Sequence, residues 1–176
     1  MDHLIDNRYL DLPILKGIIE SQVKLSLSKT SKDQINHCRV YLDNKMEQTS
    51  EPIYGINTGF GSLYDKTIKK EDLGKLQLNL VKSHACGAGP KIPSEIVRLM
   101  LFLKVQSLSY GYSGVQLSTV ERLIDLFNNE IYPVVYTYGS LGASGDLAPL
   151  AHLCLPMLGE GEVEWKGRTI SGTELL

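Results

Sequence analysis

Residues 137–152 read TYGSLGASGDLAPLAH, and one serine, Ser144, sits there between Ala143 and Gly145 in a backbone stripped of bulk. Two chemistries could use it. A serine nucleophile needs an adjacent base and an oxyanion hole. The surrounding GASGD is not a GxSxG elbow followed by an acid and then a histidine, and the only histidine downstream is His152. The hydrolase reading therefore falls away. The second chemistry needs no partner side chain. A backbone amide nitrogen, here that of Gly145, can attack the carbonyl two residues back, that of Ala143. Glycine leaves the nitrogen open and tolerates unusual dihedral angles. Alanine leaves the carbonyl uncovered, and the serine between them can lose water to become a methylidene group. The product is a five-membered imidazolone ring with an exocyclic C=C, an electrophile made from the chain itself. Gly139 and Gly142 would let the loop bend into this strained closure. A helix starting at Asp146 would aim its positive end at the ring and stabilise negative charge as electrons flow in. On composition alone, a glycine-rich turn ahead of a helix is the commoner meaning of such a stretch.

The elements that must position this loop read mainly as helices. Asp11, Pro13 and the apolar Ile14, Leu15, Ile18 and Ile19 predict a short capped helix. Ser28 or Ser31 caps a longer one through about Met46, with Ile35, Cys38, Leu42 and Met46 on one stripe. EPIYGINTGFGSL breaks the helical period with Pro52 and its glycines, and reads as a short extended piece and a loop. Glu71 and Asp72 open an amphipathic helix that stops at SHACGAGP. The nearly continuous apolar run after Pro93 predicts a helix buried on more than one side, ending at Gly111. SGVQLSTVERLIDLFNNE predicts another, ending near Asn128. A further helix spans Asp146 to Met157, with Pro149 tolerated in its first turn. GEVEWKGRTISG alternates and turns at Lys166-Gly167, as a hairpin does. The final GTELL reads as a helix cut in its first turn, which points to a section of a larger helical body.

The totals exclude several classes. With 43% hydrophobic and 22% charged residues, the chain of 176 fits a packed protein rather than a disordered one. A net charge of −2 offers no bulk attraction to nucleic acid or to an anionic membrane. No apolar run reaches membrane-spanning length, and MDHLIDNRYL carries no secretory signal pattern, so the expected location is the cytoplasm. Cys38, Cys86 and Cys154 are too scattered for a disulfide framework or a zinc site, and no metal is expected.

GSLGASGDLAPLAH closely resembles the signature of the aromatic amino acid ammonia-lyase family, which includes histidine, phenylalanine and tyrosine ammonia-lyases and related aminomutases. YGINTGFGSL (54–63), LQLNLVKSHACGAG (76–89) and YGYSGVQL (110–117) resemble three further markers, in family order and with similar spacing. The resemblance implies a mainly α fold: the N-terminal section, residues 1–176, of the ammonia-lyase helical fold, with short strands and glycine-rich active-site loops. The C-terminal helical bundle of the family is then absent. It implies that Ala143, Ser144 and Gly145 become a methylidene-imidazolone cofactor and that Asp146 assists its formation. It places Tyr54 as the base that takes a β-proton. A free phenol titrates near about 10, so backbone donors of the loop 55–61 and nearby helix ends would have to stabilise the phenolate.

Ser83 and His84 match the pair that lies against the substrate side chain, and Ser-His resembles the histidine-acting members. His84 can meet an imidazole with either ring nitrogen, or it can simply close the helix on its last carbonyls. His3, His37 and His152 read as surface or satisfied core positions. The implied reaction is the non-oxidative deamination of an aromatic amino acid, L-histidine to urocanate and ammonia ahead of tyrosine, phenylalanine or an aminomutase reaction. Family members form homotetramers with sites shared between subunits, and the implied partner is a small-molecule amino acid. Gln116 stands where many relatives carry arginine, and Tyr136 where histidine enzymes often carry proline. The amide, tyrosine, arginine and glutamate side chains that complete the family pocket belong to later segments, so the section alone is expected to be inactive, as a silent fragment also would be.

Overall fold

A computed structural model describes residues 2–49 and 51–176. The order of elements is β1 (Asp2–Ile5), α1 (Leu12–Glu20), β2 (Lys24–Leu27), α2 (Lys29–Gln48), α3 (Leu73–His84), β3 (Ala88–Lys91), α4 (Ser94–Ser109), α5 (Leu117–Asn128), β4 (Tyr132–Pro133), β5 (Tyr136–Tyr138), α6 (Ala148–Cys154), β6 (Glu162–Trp165), β7 (Arg168–Ser171) and α7 (Gly172–Leu175). The fold is mainly helical, as its sequence predicts, and the strands are short.

Local chemistry sets the helix starts. Asp11 accepts the Ile14 N–H at 2.9 Å, with Pro13 in the first turn of α1. Ser28 accepts the Ser31 N–H at 3.1 Å and so caps α2. Ser31 is buried and donates its hydroxyl to Ile5 O, which ties α2 to the end of β1. β1 and β2 pair in parallel, with α1 as the crossover between them. Those strands escape a reading by period, because DHLI and KLSL are too short to show one.

The core lies between α4 and α5. Leu101, Phe102, Val105 and Val120 are wholly buried, and Val97, Leu123, Leu126 and Phe127 nearly so. Each such side chain contributes about 1.5–3 kcal/mol by leaving water. α4 is less enclosed than its composition predicts: Ile96 and Leu103 stay exposed, so it buries one broad side. Buried Arg98 lies 4.0 Å over the Phe127 ring and donates to Ser21 O and Val23 O, placing its charge at the C-terminal end of α1. β6 and β7 form the expected hairpin through Lys166 and Gly167, and β4 joins them as a third antiparallel strand. β3 and β5 form a separate antiparallel pair with an irregular register between Ala88 and Lys91. This pair brings the segment after α3 beside the strand that leads into the Ala143–Gly145 loop.

Candidate functional site

The loop between β5 and α6 folds on itself. Gly145 donates its N–H to Gly142 O at 3.0 Å, so Ala143 and Ser144 are the two central residues of a tight turn. Gly145 has φ +84, a region that a side chain disfavours, and the space where its Cβ would stand is open. The nitrogen and the carbonyl that ring closure would join therefore belong to one turn, and the donor residues fit the group. The Asp146 carboxylate folds back across the loop. Its Oδ1 accepts from Ser140 N at 2.9 Å and from Ala148 N at 3.2 Å.

Two details differ from the sequence reading. Gly139 serves for room rather than for bending, because a Cβ there would lie 1.9 Å from Asp146 Oδ2. Gly142 meets no such demand, since the nearest atom to its would-be Cβ is 3.9 Å away. The helix predicted from Asp146 starts at Ala148 and ends at Cys154, where a tighter turn over Leu155–Leu158 takes over. Its first N–H is spent on the Asp146 carboxylate, which offsets the positive end that the sequence reading aimed at the loop.

Tyr54 sits at the crown of a second loop and is 62% exposed. The staple of that loop is Asn57, which the sequence reading passed over. Buried Asn57 accepts the Ile53 N–H on Oδ1 at 2.7 Å and donates Nδ2 to Glu51 O at 3.0 Å. Its backbone carbonyl also accepts from Ile68 N. Three of the expected phenolate donors are turned elsewhere: the N–H groups of Ile56 and Asn57 go to Ile53 O, and that of Gly59 goes to Lys66 O. These donors fold the loop instead. The one aromatic neighbour of Tyr54 among the described residues is Phe60, edge-on at 5.9 Å.

Ser83 and His84 end α3. Leu80 O accepts both the Ser83 hydroxyl at 2.9 Å and the His84 Nδ1–H at 2.8 Å. Both readings of His84 thus have a place on one ring: Nδ1 closes the helix, and Nε2 is left with its lone pair for a ligand. α3 packs against α6, so this pair and the Ala143–Gly145 loop share a support. Among the described residues, no hydrogen bond joins the Tyr54 loop to either segment.

His152 is the second residue whose part the sequence hid. It resolves as a satisfied core position: Nε2 accepts the Gly87 N–H at 2.9 Å, and burial lowers the pKa of the ring. No group of His, Cys, Asp or Glu among the described residues could hold a metal ion. Nor is any described helix long and apolar enough to cross a membrane. A cavity of about 500 Å³ lies against Ser94, Tyr132, Trp165 and Arg168, and none of its lining residues belongs to the loop, to Tyr54 or to Ser83–His84.

The family model for aromatic amino acid lyases matches residues 10–176. The histidine ammonia-lyase of Legionella pneumophila is 46% identical over 165 residues, which is 94% of this chain and 32% of the relative. The crystal structure of histidine ammonia-lyase from Trypanosoma cruzi superimposes with a TM-score of 0.88 at 32% identity, over 100% of this chain and 34% of that one. The tyrosine aminomutase of Streptomyces globisporus gives 0.90 at 30% identity, over 100% and 33%. The chain spans about a third of the length of these relatives. By sequence and by fold, it belongs to the aromatic amino acid lyase family.

Proposed function

We propose that this chain is the cofactor-bearing N-terminal section of an enzyme that deaminates L-histidine to urocanate and ammonia. The observation that carries the reading is the Gly142–Gly145 turn. Its geometry is set by the Asp146 carboxylate and by the bare backbone of Gly139, on the same support as Ser83 and His84. Ala143, Ser144 and Gly145 hold the atoms of a methylidene-imidazolone, and that group would supply an electrophilic C=C for the substrate amine.

The remaining work belongs to side chains. Asp146 keeps the loop bent by accepting the N–H groups of Ser140 and Ala148 on either side of the Gly142–Gly145 turn that holds both the Gly145 nitrogen and the Ala143 carbonyl. His84 offers Nε2 to the imidazole N–H of the substrate, and Ser83 lies beside it. That pairing favours histidine over phenylalanine, whose phenyl ring offers no donor. Tyr54 removes the β-proton. Its oxygen needs donors and cover that this section does not provide, which fits a site completed by later segments and by other subunits of a cytoplasmic homotetramer. The section alone is therefore silent.

The test compares this chain with the complete polypeptide. Ring closure removes one water and dehydration of Ser144 a second, so the complete protein should weigh less than its sequence by two waters and should release urocanate from L-histidine, read by ultraviolet absorbance. The 176-residue chain should release none. An unmodified mass in the complete protein, or faster product formation from tyrosine or phenylalanine than from histidine, would refute the reading.

A further inference from the structure

His152 stands where three parts of the molecule meet. It belongs to α6, which begins just after the Ala143–Gly145 loop. The residue is 8% exposed, and its ring stands edge-on to Tyr136 of β5, with ring centres 5.2 Å apart. Its Nε2 accepts the Gly87 N–H at 2.9 Å, and Gly87 follows the Ser83–His84 turn closely in the chain. The approach is close: a Cβ at 87 would lie 2.9 Å from Nε2 and 3.1 Å from Cδ2, so any other residue there must shift the His152 ring.

We infer that His152 is a positioning residue, holding the Ser83–His84 turn in register with the Ala143–Gly145 loop through its bond to the Gly87 amide. The inference rests on the reading above that these two segments serve one site. The β3–β5 ladder alone does not define the register. β3 is exposed at every residue and carries a glycine and a proline, and its pairs, Ala88 with Tyr138 and Lys91 with Tyr136, are not continuous, so no buried face specifies the register. The His152–Gly87 bond adds a fixed point just before β3. An accepting Nε2 carries no proton, so the ring is the neutral Nδ1–H tautomer. Burial favours that neutral form. Loss of the acceptor would free Gly87 and leave the turn after His84 held only by the bonds of Ala85 N to Val81 O and Cys86 N to His84 O, so the His84 ring would shift against the substrate side chain.

Two substitutions separate the bond from the packing. The amide oxygen of His152→Gln can still accept from Gly87, whereas His152→Phe fills the space without an acceptor. Both are compared with the unmodified enzyme by ring formation (intact mass), by KM and kcat for L-histidine, and by hydrogen exchange at the amides of 83–87 and 139–146. The phenylalanine variant should still lose two waters and should raise KM about tenfold, with kcat changed far less. Exchange should quicken in both segments, and His152→Gln should restore both KM and exchange. Nitrogen NMR of the unmodified protein should show Nε2 unprotonated.

Unchanged exchange in His152→Phe, no better behaviour in His152→Gln, or a protonated Nε2 would each overturn the inference. If the unmodified protein forms no ring and leaves histidine intact, the proposed function fails. The exchange and nitrogen measurements still decide the place of His152. If His152→Phe does not fold, the glutamine variant and the nitrogen spectrum decide it.

Discussion

The half of the molecule around α4 and α5 and the half around the Ala143–Gly145 loop are held by different forces. In the first, Leu101, Phe102, Val105 and Val120 are sealed from water. In the second, Leu141 is fully exposed and Tyr54 is 62% exposed. No residue of α3 is buried. Apolar burial shapes the first half; in the second, burial fixes α6 through Ala148 and Leu153, while single polar staples close the loops. Asn57 closes the Tyr54 loop, Asp146 closes the Ala143–Gly145 loop, and His152 fastens Gly87. A staple defines geometry strongly but stabilises weakly, because the net gain of a hydrogen bond is about 0.5–1.5 kcal/mol. The site half thus belongs with the low-stability segments from which binding loops are drawn.

The sharpest way to break this comparison is to remove bulk from each half. Phe102→Ala takes a fully buried ring from the centre of the core and should cost about 3–5 kcal/mol in urea denaturation. Leu141→Ala removes a side chain that touches only water, and it should shift stability by less than about 0.5 kcal/mol. Equal losses from the two would show that Leu141 is covered in solution and that the site half has an apolar core of its own.

A smaller effect separates two glycines of one loop. Gly139→Ala pushes a methyl group into the Asp146 carboxylate, so Asp146 must leave Ser140 N and Ala148 N. The strain should cost about 1–3 kcal/mol. Because it falls on an exposed loop, ring closure in the complete protein should suffer far more than the fold. Gly142→Ala meets nothing closer than 3.9 Å and should keep both. Intact mass reads ring closure, and thermal unfolding reads stability. Loss of the ring in both variants would mean that the loop needs freedom at Gly142 that the Gly142–Gly145 turn does not display.

The same division explains what could be read from the residues alone. The helices of the core half were legible because burial imposes a period: Val120, Leu123, Ile124 and Phe127 mark one face of α5. Caps were legible at Asp11 and Ser28, where one side chain meets one N–H. The short strands were not. KLSL of β2 owes its place to pairing with β1, a partner distant in sequence, and the AGPK of β3 to pairing with β5. In the site half, family resemblance pointed to Tyr54, Ser83, His84, Ala143, Ser144, Gly145 and Asp146. The staples stayed hidden. Nothing near His152 in the chain announces that its donor is the Gly87 amide, a partner 65 residues away. Asn57 lies inside a quoted motif, yet its role depends on the chain turning back to Glu51 and Ile53.

Acid offers the mildest test, and it reaches both halves at once. His3 stands edge-on to Phe102 in the core half, with ring centres 5.7 Å apart, and His152 serves the site half. Burial lowers the pKa of both; at His3, Asp6 pulls the other way and Arg8 adds to the lowering. The unfolded chain takes up protons near the ordinary histidine value, about 6.5, while the folded chain still refuses them. Stability should therefore be full above that value and decline as the pH falls below it, levelling once the folded groups also titrate. Urea midpoints measured across this range should show the decline. His152→Gln should remove the site half's share of it and His3→Gln the core half's share. The consequences differ in kind. A proton on His152 Nε2 expels the Gly87 amide and loosens the turn after His84, whereas a proton on His3 breaks no bond that orients the site. Acid should thus unsettle amides 85–88 before those of α4, and a simultaneous loss in both places would show that the two halves unfold as one.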